Sequence, residues 1–343
     1  MLKKYLSIKT LRNTLAGLIA TFLVSTSSIV QALEEYTYVS PSPSAINSYP
    51  VFVAIGEGYF ADEGLKINAE AVNGSSAILQ VLASGQAQFG RPGPAPVIMA
   101  NSRGVNAVFI YNSLPRSSFG ILVPEKASYQ KPDDLKGNPI GVGTADGAEV
   151  GFARTILNEF GMSEPRDYTF IPVGDGGTAL AGLMRNEVVA YVGSTADRAI
   201  LTYRGMPMRD ITPDRFQTLF GNGYAVMGDF LKNNRKAVEG FGRALARANK
   251  FARDPANRDK VLAHLAAGNP QEGEDKKYAN ALLETVLAKG IPHNMANGWG
   301  YNDPEHWQKW HDSLLAAGEL KAPLADITSV YTNEFIKTWN AAK

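Results

Sequence analysis

From Tyr36 to Gly228 the chain alternates short β-type runs with helical patterns, and beyond Phe230 it becomes almost purely helical. Strands separated by helices need crossover connections, so this alternation predicts βαβ units and mostly parallel sheet. Strand patterns fall at 36–40, 65–72, 86–90, 106–112, 119–124, 139–143, 168–173, 188–193 and 224–228. Helical patterns lie between them at 51–62, 75–84, 94–102, 148–160, 178–186 and 196–204. In the C-terminal part Phe241, Leu245, Ala248 and Phe251 recur at helical spacing, as do Trp307, Trp310 and Leu314.

The α/β part holds one series of elements twice. Gly74-Ser75-Ser76, a helix, Ser84-Gly85-Gln86 and a strand are echoed by Gly174-Asp175-Gly176-Gly177, a helix, Arg185-Asn186-Glu187 and a strand. Turn residues interrupt the periodicity at Leu114-Pro115-Arg116-Ser117-Ser118 and at Gly221-Asn222-Gly223. With two such breaks the 343 residues divide into two lobes, one of them discontinuous: 33–115 with 223–343, and 116–222. Roughly 150 residues per compact unit is consistent with that count.

Lys3, Lys4, Lys9 and Arg12 precede an apolar run at 15–24, followed by the small-x-small pattern Val30-Gln31-Ala32. These are the parts of a secretory signal peptide, 1–32. The run falls short of the roughly 20 apolar residues of a membrane span. Its removal takes away four cations and no acids, so the formal charge moves from +1 to −3. There is no cysteine, which excludes thiol chemistry, Cys-ligated metals and a lipid-modified N-terminus. The charge offers no basic field for nucleic acid. All four histidines fall in the C-terminal region, and His306 and His311, five apart, face different sides of a helix. Gly141-x-Gly143 with Gly147 lacks dinucleotide-motif spacing, and there is no G-x-S-x-G elbow. No catalytic constellation, metal site or cofactor is expected.

Gly56-Glu57-Gly58-Tyr59-Phe60-Ala61-Asp62-Glu63-Gly64-Leu65, then Leu82-Ala83-Ser84-Gly85-Gln86-Ala87-Gln88-Phe89-Gly90, closely resemble the NMT1/THI5-like group of periplasmic solute-binding proteins of ABC importers. Pro132-Asp133-Asp134-Leu135-Lys136-Gly137 resembles the segment opening the second lobe in that group, and Asp229-Phe230-Leu231-Lys232-Asn233-Asn234 the start of its C-terminal helices. The resemblance covers most of residues 36–260. It implies a type II periplasmic binding protein: two α/β lobes, two hinge crossings, a helical C-terminal extension and a ligand cleft between the lobes. It further implies a periplasmic monomer whose partners are a small-molecule ligand and an ABC permease in the inner membrane. A pyrimidine-synthesising branch of the group depends on a Cys-rich segment, which this chain lacks. A sensor docking on a membrane receptor is the other role left open. The chain departs from the group's usual pattern at Ser194-Thr195-Ala196-Asp197 and at Thr144-Ala145-Asp146-Gly147-Ala148-Glu149.

In open α/β sheets ligands sit beyond the C-terminal ends of the strands, where helix N-termini and loop N–H groups converge. Four loops qualify, and their candidates are Ser42, Ser44 and Asn47; Ser75 and Ser76; Arg91; and Thr144, Ala145 and Asp146. Tyr111 and Asn112 at a strand end, Ser194 and Thr195 in the departing stretch, and Tyr224 past the second break complete the set. Tyr49, Phe52 and Tyr191 are further candidates for stacking on a flat ligand. Ser and Asp at such positions either cap helices or meet ligand, and Asp146 with Glu149 has the spacing of a capping box. Arg91, in a Pro/Gly-rich turn, is the strongest cation, its planar fork suited to a carboxylate or sulfonate. The expected ligand is a small organic anion, a carboxylate or sulfonate, with or without an aromatic ring to stack on Tyr; the alternative is a neutral or cationic nitrogen heterocycle such as a thiamine-precursor pyrimidine.

Overall fold

The computed structural model describes residues 32–216 and 219–341; the expected signal segment lies outside them except for Ala32. Ten strands are formed among the described residues: β1 (Glu34–Ser40), β2 (Leu65–Ala71), β3 (Phe89–Gly90), β4 (Ala107–Tyr111), β5 (Phe119–Pro124), β6 (Asn138–Val142), β7 (Tyr168–Pro172), β8 (Ala190–Ser194), β9 (Met208–Asp210) and β10 (Tyr224–Met227). Their helices are α1 (Tyr49–Gly56), α2 (Tyr59–Asp62), α3 (Gly74–Ala83), α4 (Pro94–Asn101), α5 (Ala148–Glu159), α6 (Gly177–Met184) and α7 (Thr195–Tyr203). The C-terminal part adds α8 (Gly228–Asn233), α9 (Arg235–Arg253), α10 (Arg258–Gly268), α11 (Pro270–Gly273), α12 (Lys276–Lys289), α13 (Pro304–Ala316) and α14 (Ile336–Asn340).

The strands make two five-stranded sheets, ordered β2-β1-β3-β10-β4 and β7-β6-β8-β5-β9. Both are mixed, which corrects the expectation of mostly parallel pairing. β1 runs parallel to β2 and β3, but β10 is antiparallel to β3 and β4. In the second sheet β6 runs parallel to β7 and β8, while β5 is antiparallel to β8 and β9. The reversed strands are β10 and β5, each the first strand after the chain has crossed from one sheet to the other. The two crossings lie side by side, the Gly221 N–H donating to Leu114 O at 2.9 Å.

The two edge strands of the first sheet differ. β4 reads Ala-Val-Phe-Ile-Tyr and is buried throughout, the pattern of a strand covered on both faces, whereas β2 buries Leu65 and Ile67 alternately. The helical pattern expected over 51–62 breaks in two at Gly58, whose φ of 73° is left-handed. α9 presents Phe241, Leu245, Ala248 and Ala252 to the first sheet. Phe241 stacks on Phe89 of β3 with ring centroids 3.9 Å apart and on Phe60 of α2 at 5.3 Å. This aromatic column ties helix to sheet.

Of the helices past residue 270, α14 stays on α9, but α12 and α13 reach the helices of the second sheet. α12 packs on α7, and α13 on α4 and α5, with Asn158 Nδ2 donating to Ala317 O at 2.9 Å. Val39 and Phe109 of the first sheet, Ile140 and Val192 of the second, and Trp307, Trp310 and Leu314 of α13 share one apolar cluster. The sheets therefore have a common core on one side, and the cleft lies where they do not.

Candidate functional site

A cleft of about 360 Å³ is lined from both sheets and from the C-terminal helices, within the usual size of a small-molecule site. From the first sheet come Ser42, Ser44 and Asn47 after β1, Ser75 at the start of α3, and Arg91 after β3. From the second come Thr144 after β6, Glu149 of α5, Asp175 after β7, Tyr191 and Ser194 of β8, and Thr195 and Asp197 of α7. Glu272 of α11 and Tyr278 and Lys289 of α12 close the remaining side. Strand C-terminal ends and helix N-termini thus converge here, as the open-sheet rule requires.

Several of these side chains are already committed to structure. Ser44 Oγ donates to Glu272 Oε1 at 2.5 Å, and the Ile46 N–H donates to Glu272 Oε2 at 3.0 Å. Ser75 Oγ accepts the Gly93 N–H at 3.1 Å, joining the starts of α3 and α4. Ser194 caps α7: its Oγ accepts the Asp197 N–H at 3.1 Å, and Asp197 Oδ2 accepts the Ser194 N–H at 2.8 Å. Thr195 donates its N–H to Ser118 O at 2.7 Å. Thr144 Oγ1 is buried and without a hydrogen-bond partner.

Arg91 is the most deeply buried of the three cations in the lining, the others being Arg204 and Lys289. It is 4% exposed, and its Nε has no hydrogen-bond partner. Its loop is held through main-chain atoms: the Arg91 N–H donates to Val39 O at 3.0 Å, and Asn222 Nδ2 donates to Arg91 O at 3.1 Å. Burial raises the Tyr38 phenol to about 12, and burial likewise raises Tyr49 and Tyr224, with the Arg91 charge opposing the rise in all three. A buried cation with an unsatisfied donor is costly unless something completes it.

The opposite wall carries three carboxylates. Glu149 Oε1 accepts the Thr144 N–H at 3.2 Å, yet burial, with the charges of Asp175 and Asp197 added, lifts its pKa to about 7. Burial and the Asp175 charge lift Asp197 to about 6. Burial also raises Asp175, against the hydrogen bond it accepts from Tyr191 OH at 3.1 Å. Glu272 is raised by burial, and Lys289 is lowered by it. No set of three His, Asp or Glu side chains among the described residues is placed to hold a metal ion.

Six expected residues lie outside the cleft lining. Tyr111 and Tyr224 are 1% and 0% exposed and pack in the core, with ring centroids 5.8 Å apart; Asn249 Nδ2 donates to Tyr111 OH at 2.9 Å. Asn112 pairs its N–H with Gly300 O at 2.9 Å and lines a separate cavity of about 50 Å³ with His293 and His306. Ser76, on the second residue of α3's serine pair, is half-buried away from the cleft, and Ala145 and Asp146 stand exposed on the rim. The capping-box expectation also needs correction: Gly147, not Asp146, is the N-cap of α5, and Glu149 turns back to the Thr144 N–H. Of the aromatic candidates, Tyr191 alone lines the cleft. Tyr49 bonds Asn249 in the core, and Phe52 packs near Gly268 of α10.

Sequence reasoning left Asp175, Asp197, Glu149, Glu272, Tyr278 and Lys289 off the site. The first had a signal, since Gly174-Asp175-Gly176-Gly177 is a strand-end loop of the same kind as the four selected. The last three arrive from helices more than two hundred residues along the chain from Ser44, and no local pattern announces them.

The rims meet on one side. A Cβ on Gly74, whose φ is 84°, would stand 3.0 Å from Thr144 Oγ1 and 3.1 Å from Asp146 Oδ1, and a Cβ on Gly93 would collide with Ala148. Glycine at both places lets loops of the two sheets touch.

A family model described as NMT1/THI5 like matches residues 45–257. The riboflavin-binding protein RibY of Chloroflexus aurantiacus is 26% identical over 311 residues, covering 89% of this chain and 86% of that protein. The 4-amino-5-hydroxymethyl-2-methylpyrimidine phosphate synthase THI11 of Saccharomyces cerevisiae is 24% identical over 325 residues, covering 86% of this chain and 85% of that protein. Among solved structures, the periplasmic aliphatic sulphonate binding protein SsuA of Escherichia coli superposes with a TM-score of 0.66 at 15% identity, covering 87% of this chain and 91% of that one. The periplasmic nitrate-binding protein NrtA of Synechocystis PCC 6803 gives 0.67 at 13% identity, covering 90% and 88%. The fold is that of the periplasmic binding proteins, two mixed α/β sheets flanked by helices.

Proposed function

The chain belongs to the NMT1/THI5-like family, and from that premise we propose that it is the extracytoplasmic substrate-binding component of an ABC importer, holding a small organic anion in the cleft between its sheets. The observation that carries this reading is Arg91, buried in the cleft lining with an unpartnered Nε. A carboxylate or sulfonate supplies the planar acceptor pair that a guanidinium fork fits. A nitrogen heterocycle with no anionic group would leave Arg91 unsatisfied and is the less supported ligand. The signal-like segment and the binding-protein fold support export to the periplasm, action as a monomer and delivery to an inner-membrane permease.

Binding rather than catalysis is supported by the division of the lining between two sheets, because contacts from both stabilise the closed form over the open one and so report occupancy. THI11 and similar relatives carry the name of a synthase, but this chain lacks the cysteines of the resemblance's enzymatic branch. The role of sensor for a membrane receptor uses the same cleft and differs only in what reads the closed form. Deleting the gene and measuring uptake of the solute that copurifies with the protein tests the proposal: uptake should fall. Unchanged uptake with a lost transcriptional response would replace transport by sensing.

A further inference from the structure

We propose, building on the anion reading above, that the captured solute is dipolar: its anionic group meets Arg91, and a cationic or N–H-rich group, of amidine, amine or aminoheterocycle type, meets Glu149, Asp175 and Asp197. The three carboxylates come from separate elements, α5, the loop after β7, and α7, and are brought onto one wall. A Cβ on Gly143 would collide with Asp175 Oδ1 and stand 3.2 Å from Glu149 Oε1, so both carboxylates hang over the same glycine. A Cβ on Gly193 would stand 3.0 Å from Asp197 Cβ.

These groups are only partly satisfied. An ionised carboxylate offers about four acceptor positions. Asp175 receives one side-chain hydrogen bond, from Tyr191, and Glu149 the backbone N–H of Thr144, whereas Asp197 already accepts the Ser194 N–H and Oγ, both at 2.8 Å and both on Oδ2. Burial first, and then the neighbouring carboxylates, raise Glu149 to about 7 and Asp197 to about 6, so their charged forms are poorly stabilised in the lining. Three cations, Arg91, Arg204 and Lys289, line the same cleft, but no ion pair joins any of them to the three carboxylates among the described residues, and Arg91 stands on the opposite sheet.

A simple anion at Arg91 would face this wall unshielded. Like charges opposed across an enclosed site are a discriminating element against such ligands. A molecule with a donor group at its far end turns the same wall from a penalty into an anchor. The acidic wall thus selects among anions, and Arg91 selects among bases.

Acetamidinium and acetate, each small enough to enter alone, separate the two ends. Their binding is read by titration calorimetry and thermal shift, with ionic strength matched by sodium chloride, on the wild-type chain, Arg91→Gln, Glu149→Gln and Asp175→Asn. The expected result is that acetamidinium stabilises the wild type and binds about tenfold more weakly or not at all to Glu149→Gln and Asp175→Asn. Acetate should keep its effect in those variants and lose it in Arg91→Gln. Acetamidinium that fails to bind the wild type, or binds all chains equally, overturns the dipolar assignment while the anion reading stands. Acetate that binds Arg91→Gln as it binds wild type contradicts the anion reading itself. Using two acidic-wall variants from different elements keeps the test decisive if one fails to fold.

Discussion

Arg91 and Glu149 line one cleft with opposite charges and form no ion pair with each other. Each is held by its own sheet: Arg91 by the main-chain bonds of its loop to Val39 and Asn222, and Glu149 by the Thr144 N–H. A cation and a carboxyl group kept apart in this way lack a charged partner in the empty protein and are available to a third party.

Arg91→Ala should therefore weaken solute binding by tens to thousands of times, about 2–5 kcal/mol for a lost partner of a buried charge. Asp146→Asn, on the exposed rim, should change it little. Calorimetry with the copurified solute checks both. The same Arg91 should cost the empty fold: Arg91→Met should match or exceed wild type in chemical-denaturation stability without ligand, because it removes a buried cation with an unpartnered donor. A large loss of stability in Arg91→Met would mean that Arg91 is structural.

The acidic wall predicts a pH dependence of the empty protein. Glu149 is raised from 4.5 to about 7, and Asp197 from 3.8 to about 6. The folded state thus binds more protons than the unfolded one across that interval, and its stability falls as pH rises from about 4 to 7. For Glu149 the loss is about 3 kcal/mol once it is fully ionised. Denaturation curves at a series of pH values should show this decline, and Glu149→Gln should flatten it. A wild-type stability that rises through this window would contradict the assignment.

Much of this was legible in the chain because it obeys local rules. The strand-end loops at Ser42–Asn47, Ser75, Arg91 and Thr144 follow from the alternation of strands and helices, and Ser194 and Thr195 from the stretch that departs from the family pattern. Tyr111 and Tyr224 stand in the core and not in the cleft, since a strand end fixes where a residue stands but not which face its ring takes; Tyr111 packs on Trp339 of α14 and Tyr224 on Phe241 of α9. β9 escaped notice because Met208-Arg209-Asp210 is three residues long with two charges, and it becomes a strand only by pairing with β5. The Glu272 contact with Ser44 depends on a chain return that no spacing encodes.

That contact yields its own prediction. Ser44→Ala removes the hydroxyl donor to Glu272 Oε1, leaving a half-buried carboxylate short of one partner. The expected cost is about 1–3 kcal/mol in unfolding free energy, together with increased hydrogen exchange at the Ile46 and Asn47 amides. An unchanged exchange rate there would show that α11 does not hold the loop.

Gly93→Ala tests the approach of the two sheets. The φ of Gly93 is −79°, which alanine accepts, so the only new feature is the methyl that would collide with Ala148. Overpacking of this kind costs about 1–3 kcal/mol, and small-angle scattering of the ligand-bound variant should show a larger radius of gyration than wild type. Equal radii would mean that α4 and α5 absorb the methyl without separating.

Native mass spectrometry of the protein isolated from cells, wild type beside Arg91→Ala, tests the central claim most directly. The wild type should carry a small organic molecule with an acidic group and a nitrogen-bearing donor group, and Arg91→Ala should have lost it. A bound molecule without an acidic group, or one retained equally by Arg91→Ala, would contradict the account.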